Sequence, residues 1–78
     1  MVSVVAVVFA EVLGVPLESI TDATSPDTEP RWDSLKVMPL ALALEAAFGV
    51  RFTTREILAM RTVGLVRKVL REKGVQDG

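Results

Sequence analysis

The sequence of 78 residues contains no cysteine and no histidine. Without cysteine the chain can form neither disulfides nor thiolate metal sites, and without histidine it lacks the side chain that most often serves as a general base or a metal ligand. We therefore expect no catalytic residues and no metal site, and the chain is not predicted to be an enzyme.

Long hydrophobic runs are also absent. The longest early run, residues 4–10, stops at Glu11 and is far shorter than the roughly 20 apolar residues that a membrane span needs. The first basic residue is Arg31, whereas a secretory signal peptide begins with a basic segment. These absences predict a cytoplasmic protein without a membrane-spanning helix.

Hydrophobic residues are nevertheless abundant, at 50% of the chain. A chain of this length has room for a single core, and this composition can support one without disulfides. We expect residues 1–78 to form one domain, present as a monomer.

Charge is distributed unevenly along the chain. Residues 1–30 carry five acidic residues and no basic one, and residues 31–78 carry nine basic and five acidic ones, so charges of −5 and +4 sum to −1. The last predicted helix contains a basic cluster, Arg67, Lys68, Arg71 and Lys73. Such a cluster can contact phosphate or an acidic partner, but a solvated helix face is the commoner explanation.

Glycine and proline residues divide the sequence into four predicted helices. The first spans about residues 4–13, with Ser3 as its N-terminal cap and Gly14 at its end. Its predicted core stripe is Val5, Val8, Phe9, Val12 and Leu13. A long connection follows, in which we expect one short turn and two apolar anchors, Leu17 and Ile20.

The second helix is predicted to start at Asp33, which suits an N-terminal cap, and to end at Gly49. Trp32 and Val37 have the spacing of a hydrophobic staple across its start. Its side chains are apolar over a broad surface, so the helix is expected to be central to the core. This predicted apolar surface consists of Leu35, Met38, Leu42 and Phe48, with Ala41 and residues 43–47 around them.

Two shorter patterns complete the fold. Thr53 and Glu56 have the spacing of a capping box at the start of a short third helix, and Phe52 and Ile57 have the spacing of the accompanying hydrophobic staple. The fourth helix is expected to run from residue 62 or 63 to Lys73, and its predicted buried residues are Val63, Val66, Val69 and Leu70. The predicted fold class is all-α, a small four-helix bundle with three longer helices and a short third helix.

The segment Trp32–Phe48, WDSLKVMPLALALEAAF, places Asp-Ser-Leu at the start of the second helix and Leu-Glu and Phe near its end. In these features it resembles the second helix of acyl carrier proteins. The segments VVFAEVLGV, GVRFTTREILAMRTV and VGLVRKVL resemble the first helix, the third helix with its link, and the fourth helix of that family. The tripeptide alone has little specificity, but its placement within this pattern is specific.

The resemblance implies that Ser34 is esterified by 4'-phosphopantetheine, which a separate phosphopantetheinyl transferase takes from coenzyme A. It implies a non-catalytic carrier that holds acyl thioesters on this arm and exchanges them with acyl-loading, condensing or acyl-transfer enzymes of a fatty-acid, polyketide or related specialised pathway. The thiol of the arm would supply the reactive group that a chain without cysteine lacks. Asp33 is expected both to cap the helix and to help position the transferase.

Further contact residues follow from the same resemblance. Leu35 is expected to be a recognition contact beside the arm. Met38, Ile57 and Met60 are candidates for the rim or lining of an apolar groove between the second and third helices, with core packing as the alternative. For Trp32, packing as a staple is favoured over a contact with cargo or partner.

Two features of the second helix depart from the family pattern. Family members often carry several carboxylates along the second helix, which basic partner surfaces recognise, whereas here only Glu45 lies inside that helix and Lys36 directly follows the motif. Docking is therefore expected to rely more on apolar contacts or on differently charged partners. Pro39 removes a helical hydrogen bond to the carbonyl of Leu35, which predicts either a kink or a later helix start.

Other functions are less compatible with the sequence. A serine hydrolase would need a base for Ser34, and the chain has neither a histidine nor a glycine-flanked elbow there. A helical nucleic-acid-binding domain conflicts with a pI near 5.3 and with the lack of aromatic residues among the basic ones. A peptidyl or aminoacyl carrier stays open, although such domains usually have Gly-Gly where this chain has Arg31 and Trp32.

Overall fold

The computed structural model describes residues 3–75, which form four α-helices and no β-strand. The α-helices are α1 (Val4–Leu13), α2 (Ser34–Phe48), α3 (Thr54–Ala59) and α4 (Val63–Glu72), and a 3-10 helix, Leu17–Ser19, provides the turn expected between α1 and α2. The predicted all-α bundle with a short third helix is confirmed. Residues 1–2 and 76–78 of the predicted domain lie outside the described residues. Among residues 3–75, no helix has the length and apolarity needed to cross a membrane.

Side-chain caps start the helices where the sequence predicts them. The hydroxyls of Ser3 and Thr62 accept backbone N–H groups at the starts of α1 and α4. At α3 the capping box is complete, because Thr53 Oγ1 accepts from the Glu56 N–H at 3.1 Å and Glu56 Oε1 accepts from the Thr53 N–H at 2.9 Å. Gly49 ends α2 at φ 65°, a left-handed conformation that glycine adopts without steric cost.

A core of apolar side chains joins α1, α2 and α4. In α1, Val5, Phe9 and Leu13 are buried and Val8 and Val12 pack against them, which confirms the predicted stripe. The four predicted residues of α4 are also buried. The full buried cluster is Val5, Phe9, Leu13, Trp32, Leu40, Leu44, Met60, Val63, Val66, Val69 and Leu70.

The second helix buries one face of the broad apolar surface that is predicted for it. Leu40, Ala41 and Leu44 are buried in α2, and Phe48 packs partly buried against the core. Three other residues of that surface are exposed and do not pack in the core, namely Leu35 (80%), Met38 (53%) and Leu42 (58%). Because α2 is apolar around most of its circumference, the sequence pattern selects no single face.

Pro39 lies inside α2, which is continuous from Ser34 to Phe48. The predicted alternative of a later helix start is therefore wrong, whereas the kink stays a prediction. Both Pro39 and Leu35 lie on the exposed side of the helix. Water can therefore satisfy the Leu35 carbonyl, whose helical donor the proline removes.

The long connection before α2 is tied to the start of α4. The N–H of Val63 donates to the Thr24 carbonyl at 3.0 Å, and the N–H of Gly64 donates to the Asp22 carbonyl at 2.9 Å. A Cβ on Gly64 would lie 3.2 Å from that carbonyl oxygen, so a larger residue would push the loop away. Arg67 Nε adds an ion pair with Asp22 Oδ1 at 2.8 Å.

The connection also has its own internal support. Thr24 is buried, and its Oγ1 accepts the Thr21 N–H at 2.9 Å. Ile20 packs partly buried against the core, as predicted. Leu17 is exposed, so its predicted role as an anchor is wrong; it lies in the 3-10 helix on the solvent side.

One ion pair connects α4 to the start of α3. Lys73 Nζ lies 2.9 Å from Glu56 Oε1 and 5.7 Å from the ring centroid of Phe52. The hydrogen bond from Lys73, together with the backbone hydrogen bond from Thr53, lowers the pKa of Glu56 below its ordinary value. The pKa of Glu56 is therefore lower in the folded chain than in the unfolded chain. The stabilisation that its carboxylate provides is fully present at pH values above the pKa of the unfolded chain, and it is lost as the pH falls through the pKa of the folded chain.

The same substitution, leucine to alanine, is predicted to destabilise the protein by different amounts on the two faces of α2. Leu44→Ala should lower the free energy of unfolding by about 2–5 kcal/mol, because it removes a buried side chain and leaves a cavity. Leu42→Ala should lower it by less than about 0.5 kcal/mol, since that side chain is already exposed. Denaturant unfolding followed by circular dichroism measures both. A larger loss for Leu42→Ala would mean that α2 packs through the other face.

Candidate functional site

The start of α2 is held by Asp33. Its Oδ1 accepts the N–H of Leu35 at 3.0 Å, and its carbonyl accepts the N–H of Lys36 at 3.0 Å. Asp33 has an extended backbone, as N-terminal caps require. The predicted cap is confirmed, and the first turn of α2 has a defined geometry.

Ser34 is the first residue of α2, and it is exposed. Within residues 3–75 its hydroxyl takes part in no hydrogen bond, so it is available to an external reagent. The position lies at the positive end of the dipole of a helix of 15 residues. An anionic group attached there is stabilised, typically by about 0.3–1 kcal/mol at an exposed site.

Leu35 and Met38 project from the same exposed side of the helix. Leu35 directly follows Ser34 and is the more exposed of the two. Met38 does not line the apolar cavity described below, and its place at the rim of a groove between α2 and α3 stays a prediction. Lys36 is partly buried and makes no ion pair with any residue of the part of the chain that the structure describes.

An apolar cavity of about 170 Å³ lies between α2 and α3. Ile57 and Met60 line it from the side of α3, as predicted, and Trp32 lines it from before α2. Trp32 is buried and meets Phe9 edge to face, with ring centroids 4.9 Å apart, so it belongs to the inner wall and the core. The packing alternative therefore holds for Trp32 and for Met60, which is also buried.

The wall of the cavity on α2 was missed by sequence reasoning. It consists of Val37, Leu40, Ala41 and Leu44. Their spacing of three and four residues is a helical signal, but the equally apolar residues of the opposite face conceal it. Val37 lies three residues after Ser34, so the cavity begins within about one helical turn of that hydroxyl.

Comparison with known proteins gives a family. A family model described as the phosphopantetheine attachment site matches residues 3–70, which include α1, α2, α3 and most of α4. No curated protein matches the chain. Covalent 4'-phosphopantetheine is the cofactor of this family, and an exposed hydroxyl at a helix start, without an internal hydrogen bond, fits a phosphodiester attachment.

The capping geometry predicts different stabilities for two replacements of Asp33. Asp33→Ala should lower the free energy of unfolding by about 1 kcal/mol, because the Leu35 N–H loses its acceptor. Asp33→Asn should stay within a few tenths of a kcal/mol of the parent chain, since an amide oxygen caps about as well. Chemical denaturation measures both changes. Equal losses for the two variants would mean that the charge of Asp33, rather than its hydrogen bond, stabilises α2.

Proposed function

We propose that this chain, which belongs to the family of phosphopantetheine-binding carriers, holds acyl groups on an arm attached to Ser34. The observation that carries the proposal is the hydroxyl of Ser34, which is exposed and free of internal hydrogen bonds at the capped start of α2. This position lies inside the segment that matches the family. When attached, the arm supplies a thiol on which an acyl group is carried as a thioester.

Attachment needs little from the chain itself. Ser34 Oγ forms a bond to the phosphorus that carries the pantetheine of coenzyme A, the pyrophosphate linkage breaks, and the adenosine bisphosphate part leaves. The hydroxyl proton must pass to a base, and the chain has no histidine to accept it. A separate transferase is therefore the source of the base, and the carrier presents its hydroxyl at a fixed position.

The lining of the cavity supports acyl cargo over aminoacyl cargo. Its side chains are apolar except for Arg61. An aminoacyl group would bring an ammonium into apolar surroundings without a carboxylate partner and near a second cation, which is unfavourable. A hydrocarbon chain meets no such penalty. An apolar cavity of about 150 Å³ accommodates a benzene molecule, so a cavity of about 170 Å³ fits a short chain.

Modification of Ser34 is tested by intact mass. After incubation with coenzyme A and a promiscuous phosphopantetheinyl transferase, the chain should gain the mass of one phosphopantetheine. Ser34→Ala should gain nothing, although alanine is a good helix former and the fold is kept. Ser19→Ala, which removes another exposed serine hydroxyl, should be modified like the parent chain.

Two results would contradict the proposal. A folded chain that stays unmodified with transferases that load a control carrier, and with the transferase of its own organism, would leave Ser34 as a helix-start residue only. A mass gain that persists in Ser34→Ala would place the attachment at another residue.

Acyl cargo makes a separate prediction about stability. A hexanoyl group on the arm should raise the free energy of unfolding by about 2 kcal/mol over the unacylated arm, because burial of about half of its alkyl carbons contributes this amount at about 0.8 kcal/mol for each methylene. A β-alanyl group should give no gain. Ala41→Leu, which fills part of the cavity, should remove the hexanoyl effect, whereas Ala46→Leu on the exposed side of α2 should keep it.

Thermal unfolding of each loaded form, compared with the unacylated form of the same variant, measures this difference. An equal gain from the aminoacyl group would overturn the preference for acyl cargo. A hexanoyl gain that survives Ala41→Leu would place the chain outside this cavity.

A further inference from the structure

The cavity between α2 and α3 has two side chains with N–H groups in its lining, those of Trp32 and Arg61. An indole has one N–H donor and no acceptor, and a guanidinium has five N–H donors and no acceptor. The other lining side chains are hydrocarbon, apart from the weakly accepting thioether of Met60. The lining side chains therefore offer donors to a bound group, and none of them is a carboxylate, hydroxyl or amide that could accept from it.

Both kinds of donor lack an acceptor in the part of the chain that the structure describes. The indole N–H of Trp32 donates no hydrogen bond there, although the side chain is buried. The guanidinium of Arg61 likewise pairs with no carboxylate of residues 3–75, whereas Lys73 of α4 is paired with Glu56. Buried donors in folded proteins nearly always have a partner. An acceptor from outside the chain would therefore complete this lining.

The position of Arg61 determines how a charged group is accommodated. The residue is exposed although it lines the cavity, so it forms part of the boundary between the cavity and water. A carboxylate that pairs with Arg61 does not have to leave water completely, which avoids most of the cost of burying a charge. The simpler role for such a side chain is to cover apolar surface with its methylene groups. That role does not need the positive charge, so the two can be distinguished.

We infer that the acyl group held in this cavity ends in a carboxylate, with which Arg61 pairs. The inference rests on the proposed function and names the class of its cargo, half-thioesters of dicarboxylic acids. Their methylene groups suit the apolar walls, and their terminal carboxylate only accepts hydrogen bonds, as a lining of donors requires. The cavity of about 170 Å³ fits a chain of about six carbon atoms. Hexanedioyl and hexanoyl groups therefore make a matched pair that differs only at the chain end.

A single introduced cysteine makes the test independent of enzymatic loading. The chain has no cysteine, so Ser34→Cys provides one thiolate, which displaces iodide from an iodoacetamide reagent and forms a thioether. The linker of the reagent has the length of phosphopantetheine and ends in an amide of either hexanoic or hexanedioic acid. The amide replaces the thioester and resists hydrolysis during a titration.

The pKa of the hexanedioyl carboxyl group tests the pairing with Arg61. With a carbon-13 label in that group, an NMR titration should give a pKa about 0.2–0.7 lower on the protein than on the same reagent coupled to 2-mercaptoethanol, because a nearby cation favours the carboxylate. Arg61→Gln should abolish this difference. Arg61→Lys should keep it, since lysine retains the charge. An unchanged pKa on the protein with Arg61 present would overturn the inference.

Arg55→Gln is the matched control variant. It removes the same charge from an exposed position of α3 that makes no ion pair within residues 3–75 and does not line the cavity. The carboxyl pKa should therefore stay low in this variant. A pKa that stays low in Arg61→Gln, or that rises equally in both variants, would overturn the inference, because another cation or the net charge would then be responsible.

The only tryptophan of the sequence reports whether the chain end is inside the cavity. Trp32 lines the cavity, so its single indole N–H signal should shift when either acyl chain replaces an acetyl end. Arg61→Gln should reduce the shift caused by the hexanedioyl group and leave that caused by the hexanoyl group unchanged. A lowered carboxyl pKa without a shift of the indole signal would place the carboxylate outside the cavity and overturn the inference.

This titration and the mass measurement on Ser34 can fail independently. Enzymatic loading of Ser34 without a lowered carboxyl pKa would overturn the preference for a carboxylate and leave the carrier function intact. A lowered carboxyl pKa in a chain that no transferase loads would overturn the carrier function, and the cavity would remain a site for a chain that ends in a carboxylate.

Discussion

The packing of one face of α2 against the core is the constraint on which the site depends. Leu40, Ala41 and Leu44 are buried, which fixes the rotation of the helix about its axis. A rotation of one residue, about 100° on a helix of 3.6 residues per turn, would turn this buried face aside and bring exposed apolar residues such as Met38 and Leu42 towards the core. The exposure of Ser34, the wall of the cavity and the exposed apolar face of α2 are thus consequences of one packing choice.

A second constraint determines what lies beside α2. The free N–H groups at the start of α4 donate to the carbonyls of Asp22 and Thr24 in the loop, so the helix start and the loop satisfy each other's hydrogen-bonding groups. Such groups must find partners when they are shielded from water. This arrangement orders a long connection that has little apolar content of its own. Pro26 of that connection consequently reaches the cavity wall.

Local patterns in the sequence were sufficient to predict the helices and their ends. Caps and glycines act over three or four residues, so the positions of Ser3, Asp33, Thr53 and Thr62 could be interpreted without any tertiary contact. The buried side of α4 could also be predicted, because its apolar and charged residues separate cleanly. The start of α2, and with it the place of Ser34 in the first turn, belongs to this predictable class.

The orientation of α2 could not be predicted in the same way. Leu42 and Leu44 are the same residue type, two positions apart, and only the contact with neighbouring helices makes one exposed and the other buried. Leu17 failed as an anchor for a related reason, because an apolar side chain in a short surface turn has no periodic pattern to indicate its direction. The hydrogen bonds between the loop and α4 join residues about 40 positions apart, for which a single sequence contains no signal.

The positive charge of Lys36 in the first turn of α2 is unfavourable for the stability of the helix. A cation near a helix N-terminus opposes the dipole, by about 0.3–1 kcal/mol at exposed sites. Lys36 occupies the third position of α2, where a glutamate would complete a favourable turn, and it forms no ion pair with the rest of the described chain. Three exposed apolar side chains accompany it on the same helix. Neither feature stabilises the isolated fold.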